Sequence, residues 1–115
     1  MKIINILLIG HGNIGSKFVY EIKKNKQFNL KNIITTSSKN LIKFNNIDLI
    51  IICSPINTHY KYLLRAMSSN KDIIVEKPIV KNLTELKKLI KINKLYTGKI
   101  LIHHKDVINL ETKKS

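Results

Sequence analysis

The sequence predicts an α/β fold of the doubly wound type, with about five mostly parallel strands and helices on both faces of the sheet. Short runs rich in isoleucine, leucine and valine alternate with segments whose apolar residues recur every three or four positions. Such runs are typical of buried parallel strands, and the recurring segments are typical of amphipathic helices. A glycine-rich turn joins the first run to the first of these segments, as expected for a β-α-β unit that begins with a tight connection.

Four elements are predicted in the first half of the chain: a strand at residues 2–9, a helix at 13–24, and strands at 30–35 and 47–53. In the helix, Ile14, Phe18 and Ile22 recur every four residues and form one apolar stripe that can face the sheet. Only about ten residues separate the second strand from the third, too few for another helix, strand and crossover. We therefore expect that the edge strand beyond the second one is missing or reduced to a loop.

The second half continues the alternation: a helix follows Pro55, a strand spans 72–75, another helix follows Asn82, and a last strand spans 99–103. Pro55 ends the third strand, because its ring fixes φ and removes the N–H that a strand ladder needs. Asn57 or Thr58 can cap the helix after it. Asn82 can cap the later helix, and Glu85, three residues on, can reach back toward that cap.

The charge of the chain is strongly positive but evenly spread. At pH 7 the formal net charge is +14, and the isoelectric point is about 10.0. Clustered cations would suggest nucleic-acid binding, since they release counterions from a phosphate backbone. Here the lysines are scattered over every segment, Arg65 is the only arginine, and the few aromatic residues are not interleaved with a basic cluster. The richness in Ile, Asn and Lys, whose codons are AT-rich, explains the charge, so no specific nucleic-acid partner is expected.

The cysteine count and the lengths of the apolar runs predict the compartment. Cys53 is the only cysteine, which leaves no intramolecular disulfide and no multi-cysteine metal site. The apolar stretches are far shorter than the ~20 residues of a membrane helix, and no signal-peptide pattern is present at the start. His103 and His104 are neighbours on a strand and point to opposite faces, so they predict no metal site. We expect a cytoplasmic protein without a bound metal or a membrane contact.

The glycine-rich turn, Gly10-His11-Gly12-Asn13-Ile14-Gly15, predicts a phosphate site. Gly10 can adopt a turn geometry that a Cβ resists, Gly12 lets a pyrophosphate approach the backbone, and Gly15 lets the helix lie close to the sheet. The unpaired N–H groups at the start of the helix, around Asn13 and Ile14, then face the anion, assisted by the helix dipole. A glycine-rich connection without a ligand is the alternative.

Two further motifs carry a resemblance to a known family. Asp48 is followed by Ser54-Pro55-Ile56-Asn57-Thr58-His59, and later by Glu76-Lys77-Pro78-Ile79. Together with the glycine-rich turn, and in the same order, these motifs resemble the Gfo/Idh/MocA family of NAD(P)-dependent oxidoreductases over nearly the whole chain. Ser54 stands where that family usually has threonine. The resemblance implies a Rossmann domain that binds NAD or NADP and precedes an α/β substrate domain.

The resemblance also implies roles for the Glu76-Lys77-Pro78 motif. Lys77 matches the family's lysine in substrate binding and catalysis, and it is therefore the predicted catalytic residue. A lysine at a strand end beside a nicotinamide can hydrogen-bond a substrate hydroxyl or carbonyl and act as a general acid or base. Glu76 is expected to contact the cofactor or to fix the geometry of the site. Lys77 is also one of the cofactor-binding candidates. Pro78 is expected to hold a turn, for which a cis peptide bond is available.

The end of the third strand completes the predicted cofactor site. The backbone of Cys53, Ser54 and Pro55 is expected to pass beside the ribose and nicotinamide, because ligands of open α/β sheets bind at the carboxyl edge. His59 is a further cofactor-binding candidate. A histidine on a helix face is, however, more often packed or hydrogen-bonded within the protein than a proton carrier.

The end of the second strand bears on the choice between NAD and NADP. An NAD-selective Rossmann domain usually places Asp or Glu about 20 residues after the glycines, where it accepts a hydrogen bond from the ribose 2′-OH. This sequence has Thr35, Thr36, Ser37 and Lys39 there and no acid. Hydroxyls and a lysine suit a 2′-phosphate better than a carboxylate does, which favours NADP over NAD.

Residues 1–103 are predicted to form the NAD(P)-binding domain, and residues 104–115 the stub of a substrate domain that is otherwise absent. The resemblance implies hydride transfer between the nicotinamide and a sugar, cyclitol or similar small polyol. A second polypeptide or a missing domain would then supply the substrate site, and the uncovered edge of the last strand favours self-association. The alternatives are a non-catalytic NAD(P)-binding or interaction module and a truncated remnant.

Overall fold

The computed structural model describes residues 2–35 and 43–103. Its strands are β1 (Ile4–Ile9), β2 (Phe28–Ile34), β3 (Leu49–Ile52), β4 (Asp72–Glu76) and β5 (Ile100–His103). Its helices are α1 (Asn13–Lys23), α2 (His59–Ser68) and α3 (Leu83–Asn93), and a short 3-10 turn at Ile56–Thr58 precedes α2. The strands form one sheet in the order β2-β1-β3-β4-β5, with every neighbouring pair parallel. The doubly wound α/β fold and its five strands are confirmed.

Helices cover both faces of this sheet, and each face has its own apolar cluster. On one face, Phe18 and Ile22 of α1 pack with Ile6 and Leu8 of β1 and with Ile74 of β4. The other face lies under α2 and α3, and its cluster includes Leu7, Ile9, Leu63, Met67, Val75 and Leu89. Successive residues of β1 are therefore buried on opposite faces, which explains why its sequence is apolar without alternation.

The element boundaries agree with the predictions to within about two residues, as is usual for helix and strand ends. β2 begins at Phe28 rather than residue 30, because Phe28 already pairs with Ile4 of β1. Among the described residues, β2 and β5 are the two edge strands and nothing lies beyond β2. The segment predicted to replace a further edge strand falls mostly on residues 36–42, outside the described range.

One of the two predicted helix caps is present. The Asn82 side chain accepts a hydrogen bond from the Glu85 N–H at 2.9 Å and caps α3. Oε1 of Glu85 is buried without a hydrogen-bond partner among the described residues, so the reciprocal half of the predicted capping pair is not seen. The cap predicted for α2 from Asn57 or Thr58 is wrong, since α2 has no side-chain cap. Thr58 occupies the N-cap position, but its hydroxyl is within 2.6 Å of the Pro55 carbonyl instead.

In the part of the chain that the structure describes, no helix is both long enough and apolar enough to span a membrane.

Candidate functional site

The predicted motifs converge on the carboxyl edge of the sheet. Because all five strands are parallel, the residues that follow β1, β3 and β4 emerge along this one edge. The chain also reverses its direction across the sheet here, since β1 lies between β2 on one side and β3 on the other. A reversal of this kind opens a crevice outside the strand ends, which is where open α/β sheets bind ligands.

The first two motifs are in direct backbone contact at this edge. Gly10 has φ of +98°, and a Cβ on it would lie 2.6 Å from the Ser54 nitrogen and 2.7 Å from the Cys53 carbonyl carbon. A Cβ on Gly15 would lie 2.6 Å from the Gly10 carbonyl oxygen. Gly15 therefore allows α1 to approach the turn itself. The nearest side-chain atom of the sheet, Cδ2 of Leu8, would lie 3.9 Å from this Cβ. Glycine is needed at both positions for backbone packing.

Gly12 differs from the other two glycines, because a Cβ on it would meet nothing within 4 Å. It is the N-cap residue of α1, it is exposed, and the helix has no side-chain cap and no acidic residue in its first turn. The open space above Gly12 and the uncapped start of α1 suit the pyrophosphate of a dinucleotide, which needs close access to backbone N–H groups.

The loop after β3 is stabilised by polar contacts of its own side chains. Ser54 is buried, and its Oγ lies 2.7 Å from Oγ1 of Thr58. Thr58 Oγ1 also donates to the Pro55 carbonyl at 2.6 Å. These contacts hold the Ser54-Pro55 turn against the start of α2.

His59 is almost fully buried, with 2% of its surface exposed. Its Nε2 lies 2.8 Å from the Ser54 carbonyl oxygen, and its Nδ1 lies 2.9 Å and 3.0 Å from the carbonyl oxygens of Pro78 and Ile79. The ring therefore bridges the loop after β3 and the turn after β4, which are the two predicted nicotinamide-side segments.

Lys77 leaves the sheet at the end of β4, with its side chain exposed. Its backbone N–H donates to the His103 carbonyl at 3.1 Å, which extends the β4–β5 ladder by one bond. The Lys77–Pro78 peptide bond is cis. The backbone of Lys77 is thus tied to β5 at the carboxyl edge of the sheet, while its side chain is exposed.

Glu76 and His103 form a side-chain hydrogen bond that sequence reasoning missed. Oε2 of Glu76 lies 3.0 Å from Nδ1 of His103, and both side chains are largely buried. The His103 ring also meets Phe18 of α1 edge-on, with 4.9 Å between ring centroids. The two residues are register partners on β4 and β5. Their contact can therefore be predicted only once the pairing of these two strands is known.

The Cys53 thiol is shielded at the same edge. Burial, followed by the negative charge of Glu76, raises the pKa of Cys53 to about 12. The thiol is therefore protonated near neutral pH and is a poor nucleophile.

The remaining predicted site residues are only partly described. Thr35 follows β2 and is half-buried, whereas Thr36, Ser37 and Lys39 lie outside the described residues. Within residues 2–35 and 43–103, no group of three or more His, Cys, Asp or Glu side chains could hold a metal ion.

A family model described as "Oxidoreductase family, NAD-binding Rossmann fold" matches residues 4–104. The chain belongs to this family, Gfo/Idh/MocA. The match covers every strand and helix described above, and it confirms the resemblance carried by the three motifs. The domain is accordingly an NAD-binding Rossmann domain of an oxidoreductase family. A preference for NADP is not part of this finding and stays a prediction.

Individual relatives of this Gfo/Idh/MocA domain agree with the family match. "Oxidoreductase P35" from Formosa agariphila is 33% identical over 70 residues, which are 61% of this chain and 22% of that protein. The structure of GenD2 from gentamicin A biosynthesis, in complex with NAD, has a TM-score of 0.78 at 12% identity, over 89% of this chain and 34% of that one. Apo scyllo-inositol dehydrogenase from Lactobacillus casei has a TM-score of 0.72 at 18% identity, over 88% and 36% of the two chains.

The chain thus spans about a fifth of the curated relative and little more than a third of the two solved structures. At identities of 12% and 18%, the two solved structures show a shared fold.

Proposed function

We propose that this domain binds a nicotinamide dinucleotide for hydride transfer to or from a sugar, cyclitol or similar small polyol, with Lys77 as the catalytic residue. The observation that carries the proposal is the juxtaposition of an open phosphate-binding turn at Gly12 and a backbone-anchored lysine at one sheet edge. The family membership supports the cofactor class. The likeness to a scyllo-inositol dehydrogenase supports a cyclitol within the proposed substrate class.

The proposed cofactor site follows the edge from the start of α1 to β4. The backbone N–H groups of the glycine-rich turn bind the pyrophosphate, and the residues concerned are Gly10, Gly12, Asn13, Ile14 and Gly15. The segments after β3 and β4 line the nicotinamide side, through Cys53, Ser54, Pro55 and Glu76. Thr35, Thr36, Ser37 and Lys39 surround the adenosine ribose, where hydroxyls and a cation favour the 2′-phosphate of NADP.

Lys77 acts on the substrate oxygen in this proposal. The bound nicotinamide supplies the hydride acceptor in the oxidation direction and the hydride donor in the reverse direction. In its neutral form, the Lys77 amine takes the proton of a substrate hydroxyl as the carbonyl forms, and as an ammonium it returns the proton in the reduction direction. The anchored backbone of Lys77 restricts where its flexible side chain begins, which lowers the entropic cost of placing Nζ beside the substrate.

Further parts of the proposal concern partners and location. Because the matched region covers little more than a third of the solved relatives, a further domain or a second polypeptide would complete the substrate site. The edge strand β5 exposes Leu101 and Ile102, which supports association through that edge. We place the protein in the cytoplasm, in keeping with its single, partly buried cysteine.

Cofactor binding is tested by calorimetric titration of the chain with NADPH and NADH, with a Gly12→Val variant. Because a Cβ at Gly12 points into open space, this variant should remain folded and yet block the approach of the pyrophosphate. Thr84→Val, which places the same side chain on the exposed face of α3, is the matched control. We expect binding to be lost in Gly12→Val and kept in the control, with tighter binding of NADPH. A folded wild-type chain that binds neither dinucleotide would contradict the proposal.

The catalytic assignment is tested with Lys77→Ala in the chain supplied with its substrate domain, assayed against a panel of cyclitols and sugars. Turnover should fall at least about 10²-fold, the usual contribution of a positioned acid or base, while dinucleotide affinity changes less than twofold. Lys81→Ala, which removes another exposed lysine shortly after the same turn, should leave turnover unchanged. Unaltered turnover in Lys77→Ala would rule out this role.

A second candidate is a non-catalytic dinucleotide-binding or interaction module. The open turn at Gly12 suits a dinucleotide whether or not turnover follows. This candidate predicts saturable NAD(P) binding without turnover, even when a substrate domain is supplied.

A further inference from the structure

The His59 ring has hydrogen-bond acceptors on both of its nitrogens. Nε2 faces the Ser54 carbonyl at 2.8 Å, and Nδ1 faces the Pro78 and Ile79 carbonyls at 2.9 Å and 3.0 Å. All three partners are backbone carbonyl oxygens, which can only accept hydrogen bonds. The ring is buried, so water is not a ready substitute for any of them.

Hydrogen-bond counting limits the protonation state that suits this arrangement. A neutral imidazole carries one N–H and one lone pair. In either neutral tautomer, one nitrogen donates correctly while the other directs its lone pair at a carbonyl oxygen. An imidazolium carries two N–H groups, one for the Ser54 side and one for the Pro78 and Ile79 side. Only this form makes hydrogen bonds to both segments at the same time.

The surroundings also affect the cost of burying this positive charge. A buried charge is costly unless hydrogen bonds compensate it, and three carbonyl dipoles point at the ring within 3.0 Å. Among the described residues, no carboxylate forms an ion pair with His59. The charged residues on the segments that the ring joins are Lys61 and Arg65 on its own helix, and Glu76, Lys77 and Lys81 beside the turn. The carbonyls are therefore the groups that favour the imidazolium.

We propose that His59 is a positioning residue whose doubly protonated ring ties the end of β3 to the turn after β4, and so sets where Lys77 leaves the sheet. Ser54 packs against Gly10 of the phosphate turn, and Pro78 directly follows Lys77. Through one buried ring, the position of the lysine backbone is thus coupled to the phosphate-binding turn. The connection to catalysis rests on the proposed function of Lys77, whereas the bridging itself does not.

The protonation state is tested by NMR of the chain labelled with ¹⁵N-histidine, near pH 7 and without any cofactor. We expect both His59 ring nitrogens to carry hydrogen, each with a slowly exchanging proton and with a through-bond coupling to its carbonyl partner. A His59 ring with one unprotonated nitrogen would overturn the proposal. Because no dinucleotide is present, this result is independent of whether the chain binds NAD(P).

The positioning role is tested by hydrogen exchange of the Lys77 amide, which donates to His103. His59→Phe keeps a planar ring without donors, and it should speed exchange at Lys77 at least tenfold more than exchange in β1. His59→Asn retains one donor near the Nδ1 position and should restore part of this local protection. Tyr96→Phe is the control, since it removes a side-chain bond to the Lys71 and Lys99 carbonyls at the other end of β4 and β5. Equal acceleration at Lys77 and in β1, or no gain with His59→Asn, would contradict the positioning role.

Discussion

The carboxylate of Glu76 lies 3.0 Å from Nδ1 of His103, on the face of the sheet that α1 covers. The side chain of His103 is 8% exposed and that of Glu76 is 17% exposed, so solvent screens their interaction only weakly. The same two strands carry the Lys77 anchor, because the His103 carbonyl accepts from the Lys77 N–H. Side-chain and backbone contacts therefore fix the end of β4 to β5 together.

This pair predicts a measurable coupling. Glu76→Met and His103→Phe should each lower the free energy of unfolding by roughly 1–3 kcal/mol, since each leaves a buried polar partner without its hydrogen bond. The double variant should lose less than the sum of the two single losses, by at least about 0.5 kcal/mol. Urea denaturation of the wild type, the two single variants and the double variant completes this double-mutant cycle. Strictly additive losses would show that the two side chains do not interact in solution.

The two glycines of the phosphate turn should respond in opposite ways to the same substitution. Gly10→Ala should destabilise the fold by at least about 2 kcal/mol, because the residue has φ of +98° and a Cβ would clash with the Ser54 backbone. Gly12→Ala should cost less than about 1 kcal/mol, the difference between glycine and alanine at an N-cap. Thermal unfolding compares the two variants directly. Similar losses at both positions would contradict the backbone contact between the first two motifs.

The partly buried Cys53 thiol predicts a loss of stability at high pH. Its pKa is about 12 in the fold and 9.0 ordinarily, so both states are protonated below pH 9. Between those two pH values, the Cys53 thiol is ionised in the unfolded chain but still protonated in the folded one. The free energy of unfolding therefore falls as the pH rises. The wild type should lose about 1.4 kcal/mol per pH unit more than Cys53→Ala. Urea denaturation from pH 8 to 11 measures this difference, and Tyr96, which also has a raised pKa, is common to both proteins. Parallel profiles would mean that the folded thiol ionises normally.

The Asn82 cap predicts a modest and local effect. Asn82→Ala removes the acceptor for the Glu85 N–H and should cost about 1 kcal/mol of unfolding free energy. Thr84→Ala, on the exposed face of the same helix, is the matched control and should change stability by less than about 0.5 kcal/mol. Both values follow from urea denaturation. A loss of the same size in the control would show that the effect is not specific to the cap, since alanine has a higher helix propensity than threonine.

Local patterns were sufficient for the order of the elements and for the positions of the motifs. β1 and β3 are buried on both faces, and such strands are visible in sequence as uninterrupted apolar runs. Proline, glycine and asparagine marked the ends of elements through backbone constraints that act within a few residues. The cap of α2 failed as a prediction for a related reason, because Thr58 has a competing acceptor in the Pro55 carbonyl three residues earlier.

The sequence by itself determined the fold class, the family and the residues that meet at one edge of the sheet, because these depend on periodicity and on short motifs. Tertiary structure alone decided how those residues contact one another. The Glu76–His103 pair needs the register of β4 against β5, and the His59 bridge needs a turn that lies 19 residues further along the chain. Such contacts depend on strand pairing and on loop geometry in three dimensions, which residue spacing along the chain does not specify.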